Sequence, residues 1–173
     1  MNFKHRTVMV TGAAGNLGQA VAAAFSAQGA QLVLLDRQLN ALQQAYGAAD
    51  TDRLLVATDL LVATDLLDAT QIAAAQAAAI ARFGRIDVLC NLAGGFRMGE
   101  AVHATSDSTW DFLLDINART LLNMARCVVP HMIERGGGKI INVGAFAAQK
   151  GQAHMGAYCA SKSSVIQIGR AHV

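Results

Sequence analysis

Tyr158-Cys-Ala-Ser-Lys162 sets a phenol and an ammonium four residues apart, which on a helix places them on one face a turn apart. A tyrosine of ordinary pKa, about 10, is a poor base near neutrality, but a neighbouring positive charge favours its phenolate. The pair can therefore do general acid–base chemistry. Taken alone, such a pair is more often a solvated helix face, so its meaning depends on the rest of the chain. A second group is Thr11-Gly-Ala-Ala-Gly-Asn-Leu-Gly18, with glycines at 12, 15 and 18 between an apolar run and an Ala-rich segment. A helix that opens from a glycine loop presents free amides and the positive end of its dipole, a place that binds phosphate. Eighteen residues past Gly18, the run Gln31-Leu-Val-Leu-Leu ends in Asp36, whose carboxylate suits the two hydroxyls of an adenosine ribose.

These groups need a scaffold, and the apolar pattern supplies one. Thr7 to Thr11 reads as a buried strand, the glycine loop leads into a helix, Gln31 to Asp36 is a second strand and Leu39 to Tyr46 a short helix closed by Gly47. Leu54-Leu-Val-Ala-Thr-Asp59 is repeated without change as Leu60-Leu-Val-Ala-Thr-Asp65. A third strand needs only one copy, so the other is expected to be surplus. A helix follows from Ala69 to Phe83 with Gly84 as its stop, and Ile86 to Ala93 reads as a fully buried fourth strand running into Gly94-Gly95. Phe96 to Thr105 is a loop. Ser106 is the expected N-cap of a long helix through Asn117 toward Met132, with Pro130 at its frayed end. After Gly136-Gly-Gly138, Lys139 to Val143 is strand five, and a last helix begins near Gly156. Strands alternating with helices predict an α/β fold, a doubly wound parallel sheet with the ligand beyond the carboxyl ends of its strands. Gly12, Asp36, Asn91 and Gly144 fall at such ends.

Composition narrows the function. The 173 residues are 53% hydrophobic, enough for one core and one domain over 1–173, and the net charge is only +2. With no Lys/Arg run and 5% aromatics, no nucleic-acid partner is expected. The N-terminus lacks an apolar leader and the Ala-rich run from Ile72 is too short to span a bilayer, so the expectation is a soluble, cytoplasmic protein with no membrane partner. Cys90, Cys127 and Cys159 are far apart among apolar residues, which fits buried thiols, and His103, His131 and His154 lack metal-ligand spacing and read as surface or loop residues. No metal is expected.

Taken together, these residues resemble the short-chain dehydrogenase/reductase family from residue 7 to about 167, which implies a Rossmann-like sheet, here incomplete at the C-terminus. Thr11-Gly12 to Gly18 is similar to its cofactor loop, Asn91-Leu-Ala-Gly94 to its Asn-Asn-Ala-Gly motif, Asn117 to its helix asparagine, and Tyr158 to Lys162 to its Tyr-x-x-x-Lys. The resemblance implies interconversion of an alcohol and a carbonyl with NAD(P)(H). By it, Tyr158 is general acid/base, Lys162 holds the nicotinamide ribose and lowers the pKa of Tyr158, and Asn117 steadies a water. It implies cofactor contacts from Thr11, Gly12, Ala14, Gly15, Asn16, Leu17, Gly18, Asp36, Arg37, Asn91, Ala93 and Gly94, with Asp59 or Asp65, then Leu66, near the adenine. NAD(H) is expected ahead of NADP(H), because Asp36 would repel a 2′-phosphate and Gly15 offers no basic side chain; Arg37 is the counter-argument. The partner implied is a small alcohol or carbonyl compound, with a homo-oligomer for the full-length form.

Three departures from the family pattern stand out. Asn16 replaces the middle glycine of the loop, which has moved to Gly15; Leu92 replaces a second asparagine; and Ala145, thirteen residues before Tyr158, stands where the family has a serine. The last removes a donor to the substrate oxygen. A second reading is therefore a catalytically weak dinucleotide-binding protein, and a third is a gene fragment that does not fold alone. For the third, Ile168-Gly-Arg-Ala-His-Val173 breaks the apolar pattern and matches one frame of a common sequencing adapter, so residues 168–173 are expected not to be native. The substrate itself is not written in this stretch of sequence, although Phe96, Arg97 and Met98 are candidates for one wall.

Overall fold

The computed structural model describes residues 2–47 and 60–170. Five strands, β1 (Thr7–Thr11), β2 (Gln31–Asp36), β3 (Leu60–Ala63), β4 (Val88–Asn91) and β5 (Lys139–Asn142), form one sheet in the order β3-β2-β1-β4-β5. β1 pairs in parallel with β2 and β4, and β2 with β3. The helices are α1 (Asn16–Ser26), α2 (Leu39–Tyr46), α3 (Ala69–Phe83), α4 (Asp107–Leu114), α5 (Thr120–Glu134) and α6 (Gly156–Arg170). This is the doubly wound α/β arrangement that the alternation predicts. Among the described residues, no helix is long and apolar enough to cross a membrane.

The chain divides into two compact units, Met1–Leu92 with Asn123–Ile141, and Ala93–Leu122 with Asn142–Val173. The first holds the sheet. Val8, Val10, Leu32, Leu34, Val88 and Cys90 cluster with Ala22 of α1 and Leu42 of α2. Strand alternation turns Met9, Val33, Leu35 and Leu89 to the opposite side, and these too are fully buried, as are Ala75 and Ala79 of α3. A sheet buried on both faces has to read as continuous apolar runs, and these strands do. α3 is capped by Asp68, which accepts from the amides of Thr70 and Gln71, and ends at left-handed Gly84. Gln76 Nε2 donates to the Cys127 carbonyl at 2.9 Å and Cys127 Sγ to Gln76 Oε1 at 3.1 Å, tying α3 to α5. Burial pushes the Cys90 thiol up to about 11, as expected of a structural cysteine.

In the second unit, α4 and α6 pack together, with the 3₁₀ turn Phe146–Ala148 against α6. Ser106 caps α4 as anticipated, its Oγ accepting from the Thr109 amide.

Several boundaries differ from the sequence reading. The fourth strand is Val88–Asn91, shorter than Ile86 to Ala93, because its ladder on β1 stops at Thr11↔Asn91 and the Leu92 amide turns to Thr11 Oγ1 at 3.1 Å. Strand five stops at Asn142 rather than Val143. The long helix is interrupted by a π turn, Asp115–Arg119, in which the Thr120 amide reaches back to the Asp115 carbonyl. Pro130 lies inside α5 and not at its end. Its missing donor is tolerated because it sits on the exposed side, while Met124, Val128 and Met132 bury the other. His131, expected on a surface or loop, is a half-buried residue of α5. The first copy of the repeat, with Asp59, lies outside the described residues; the second copy forms β3.

Candidate functional site

In the first unit, the glycine loop is built for close approach. Gly12 follows β1 with φ +63°, a left-handed conformation natural to glycine. A Cβ on Gly18 would lie 2.3 Å from the Gly12 carbonyl oxygen and 2.7 Å from Ala13 Cα, so no larger residue fits. Asn16 is the first helical residue of α1 and is not left-handed, so the shift of glycine from 16 to 15 costs the loop nothing there. Gly15 is the N-cap, with no side-chain cap bond, and the first turn carries no acidic residue. Those amides and the helix dipole are left for an anion, and Asn16 and Leu17 are exposed beside them. These residues fit a dinucleotide pyrophosphate.

Asp36 closes β2 with its carboxylate held twice: Oδ2 accepts from the Ala14 amide at 3.1 Å and Oδ1 from the Arg37 amide at 2.8 Å. The Thr64 amide donates to the Asp36 carbonyl at 2.8 Å, which brings Asp65 and buried Leu66 just past β3 to the same end of the strands. The Leu66 carbonyl accepts from Asn123 Nδ2 at 3.0 Å. Asn91 ends β4 at that same end of the sheet. Thr11 is spent on structure, its hydroxyl bridging the Cys90 carbonyl and the Leu92 amide.

In the second unit, Ala93 and Gly94 begin the loop after β4, and Asn117 secures it. Gly95 and Asn117 bond reciprocally, Gly95 amide to Oδ1 at 3.1 Å and Nδ2 to the Gly95 carbonyl at 3.0 Å. Nδ2 also reaches Leu113 carbonyl and Ser161 Oγ at 3.1 and 3.2 Å, and Asn117 is 2% exposed. The π turn is what brings this carboxamide inward, at a helical position where an extra residue per turn re-aims the side chain. Its amide is committed to protein partners.

Tyr158 and Lys162 lie one turn apart in α6. The ring of Phe96 meets that of Tyr158 edge-on, centroids 4.9 Å apart, and Arg97 stacks over Phe112 at 4.2 Å. Lys162 is 7% exposed, its Nζ donating to the Val143 carbonyl at 3.1 Å, and burial holds its pKa below the usual lysine value. Ser161, fully buried between Asn117 and the Tyr158 carbonyl, escaped the sequence reading although it stands inside the Tyr-to-Lys motif. Tyr46, whose hydroxyl donates to the Ala13 carbonyl at 2.6 Å, also escaped it, since no motif marks the end of a short helix.

Residues 6–172 match the family model for short chain dehydrogenases. The chain belongs to that family. A sorbitol dehydrogenase of Cereibacter sphaeroides is 35% identical, over 97% of this chain and 63% of the relative. A D-threitol dehydrogenase of Mycolicibacterium smegmatis is 34% identical, over 95% and 62%. Among solved structures, an NAD+-bound xylitol dehydrogenase superposes with TM-score 0.86 at 27% identity, covering 97% of this chain and 64% of that one. A short-chain dehydrogenase/reductase of Burkholderia phymatum in complex with NAD gives 0.87 at 26%, covering 98% and 59%. The chain thus spans about 62–63% of the length of those two curated relatives. Its sheet and helices share the Rossmann-like fold of those NAD-bound neighbours.

Proposed function

We propose that the protein interconverts a secondary alcohol and a ketone, with a polyol as the substrate class, using a nicotinamide dinucleotide. The observation that carries this reading is Lys162, an ammonium buried one turn from Tyr158 on the same helix. In that position its charge acts through a medium of lower dielectric than water. When bound, a nicotinamide dinucleotide gives or takes the hydride. Tyr158 protonates the carbonyl oxygen in reduction and removes the hydroxyl proton in oxidation. Asn117 fixes the loop at Gly95 and, through Ser161, the turn of α6 that carries Tyr158. The names of the sorbitol, D-threitol and galactitol dehydrogenases among the relatives support a polyhydroxylated substrate.

NAD(H) is preferred to NADP(H) in this reading. Asp36 is pinned by two backbone amides, which opposes its turning aside so that Arg37 could receive a 2′-phosphate. A titration in which NADPH binds as tightly as NADH would reject the preference. The mechanism is tested by Tyr158→Phe, expected to abolish ketone-dependent NADH oxidation while leaving the NADH dissociation constant within about twofold. Full activity in that variant would reject Tyr158 as the acid.

Ala145 favours a second reading, a dinucleotide-binding protein of weak catalytic power. It is a half-buried residue preceding the 3₁₀ turn and offers only a methyl group where the family has a hydroxyl. A missing donor of this kind costs about 3 kcal/mol, or roughly a hundredfold in rate. Ala145→Ser is expected to raise kcat with cofactor affinity unchanged; an unchanged kcat would mean another group already serves.

A further inference from the structure

Ala13 is the fixed point of the glycine loop. It is fully buried, its amide donates to the Leu35 carbonyl of β2 at 3.0 Å, and its carbonyl accepts the Tyr46 hydroxyl at 2.6 Å. The Ala13 carbonyl and the Ala14 amide belong to one planar peptide group, so fixing one end fixes the other. Asp36 Oδ2 holds the Ala14 end at 3.1 Å. Tyr46 and Asp36 therefore grip a single peptide plane from its two sides. Tyr46 reaches it because α2 ends there and its ring packs on the cluster that includes Ala13 and Leu42. The start of α1 is built against the same residue, since a Cβ at Gly18 would fall 2.7 Å from the Ala13 oxygen.

We propose that Tyr46 is a positioning residue for dinucleotide binding, its hydroxyl holding the 13–14 peptide so that the loop amides and the Asp36 carboxylate are set before the ligand arrives. The inference rests on the nicotinamide-dinucleotide reading above. Without the hydroxyl, the buried Ala13 carbonyl loses a hydrogen bond and the 13–14 peptide is gripped from the Asp36 side alone, so the loop amides and the carboxylate are less firmly set. The effect falls on the pyrophosphate and adenosine-ribose contacts together, and not on the acid–base step.

The test is Tyr46→Phe, which keeps the ring and removes only the oxygen, with Leu42→Ala as a control that weakens the same helix and keeps the hydroxyl. NADH and ADP-ribose are titrated directly, by fluorescence and calorimetry, well below each variant's melting temperature. Tyr46→Phe is expected to weaken both ligands about five- to tenfold, with kcat at saturating NADH within about twofold of the parent. Leu42→Ala is expected to melt lower and bind both ligands like the parent. Unchanged affinity in Tyr46→Phe overturns the proposal, as does an equal loss in Leu42→Ala, which would trace the effect to helix stability. A parent that binds neither NADH nor NADPH overturns this proposal and the functional reading together, whereas tight binding by both parent and Tyr46→Phe overturns this one alone.

Discussion

Lys162, which the proposed mechanism uses, is buried at a cost to folding. The residue is 7% exposed, and its ammonium donates to the Val143 carbonyl. Its folded pKa lies below the unfolded value of about 10.4, so between the two the unfolded chain holds the proton more tightly and stability rises with pH. Lys162→Met is expected to lose turnover, and the parent should gain stability relative to that variant as pH rises from 7 toward 10. Urea midpoints at the two pH values measure this, and a constant difference between parent and variant would reject the burial cost. At this scale the sequence was partly legible. The Tyr and Lys share one helix as their four-residue spacing predicts, and their meaning came from the glycine loop and the family resemblance beside them. Tyr46 and Ser161 were not legible, because the Ala13 carbonyl and the Asn117 carboxamide that they meet lie 33 and 44 residues away along the chain.

Among the elements, β2, α2 and α3 have the bounds their sequence predicts, since each combines an apolar run or face with a clear stop: Asp36, Gly47 and Gly84. The helix around Asn117 did not read as three pieces. Its apolar stripe runs on through Leu113, Leu121, Met124 and Val128, and nothing in that pattern marks the extra residue of the π turn. The join of β1 to β4 depends on a charge. Asp87, just before β4, accepts from the Thr7 amide at 2.9 Å, from Arg6 Nη1 at 2.7 Å and from Arg85 Nε at 2.8 Å. Burial alone would raise its pKa, but the bonds from Arg85, Thr7 and Arg6, with the charge of Arg85, together hold it below the usual carboxylate range. A depressed folded pKa means that the unfolded chain takes the proton first as pH falls, so the contribution is complete above about pH 5 and is lost as pH drops through the folded value. Asp87→Asn is expected to destabilise by about 1–3 kcal/mol at pH 7, the half-exposed arginines being partly screened, and by less at pH 3. Equal losses at both pH values would contradict this.

For the molecule as a whole, β5 ends the sheet order with Ile140 and Ile141 at 41% and 44% exposure. An apolar edge strand is a site for pairing with other chains. Replacing Ile140 with Lys is expected to lower concentration-dependent light scattering at neutral pH while moving the melting temperature little; unchanged scattering would place the association elsewhere. The two compact units are also interleaved along the chain, which leaves the first unit for residues 93–122, returns for 123–141 and leaves again. During synthesis, β4 therefore leaves the ribosome well before the strand that flanks it. At ribosomal rates of about 5–20 residues per second, the stretch from Leu92 to Ile141 takes roughly 2–10 s to make. Throughout that interval the nascent sheet has β4 as an open border. A chaperone that holds extended apolar chain would be needed most in this window, and slowing translation just after codon 92 would lengthen it.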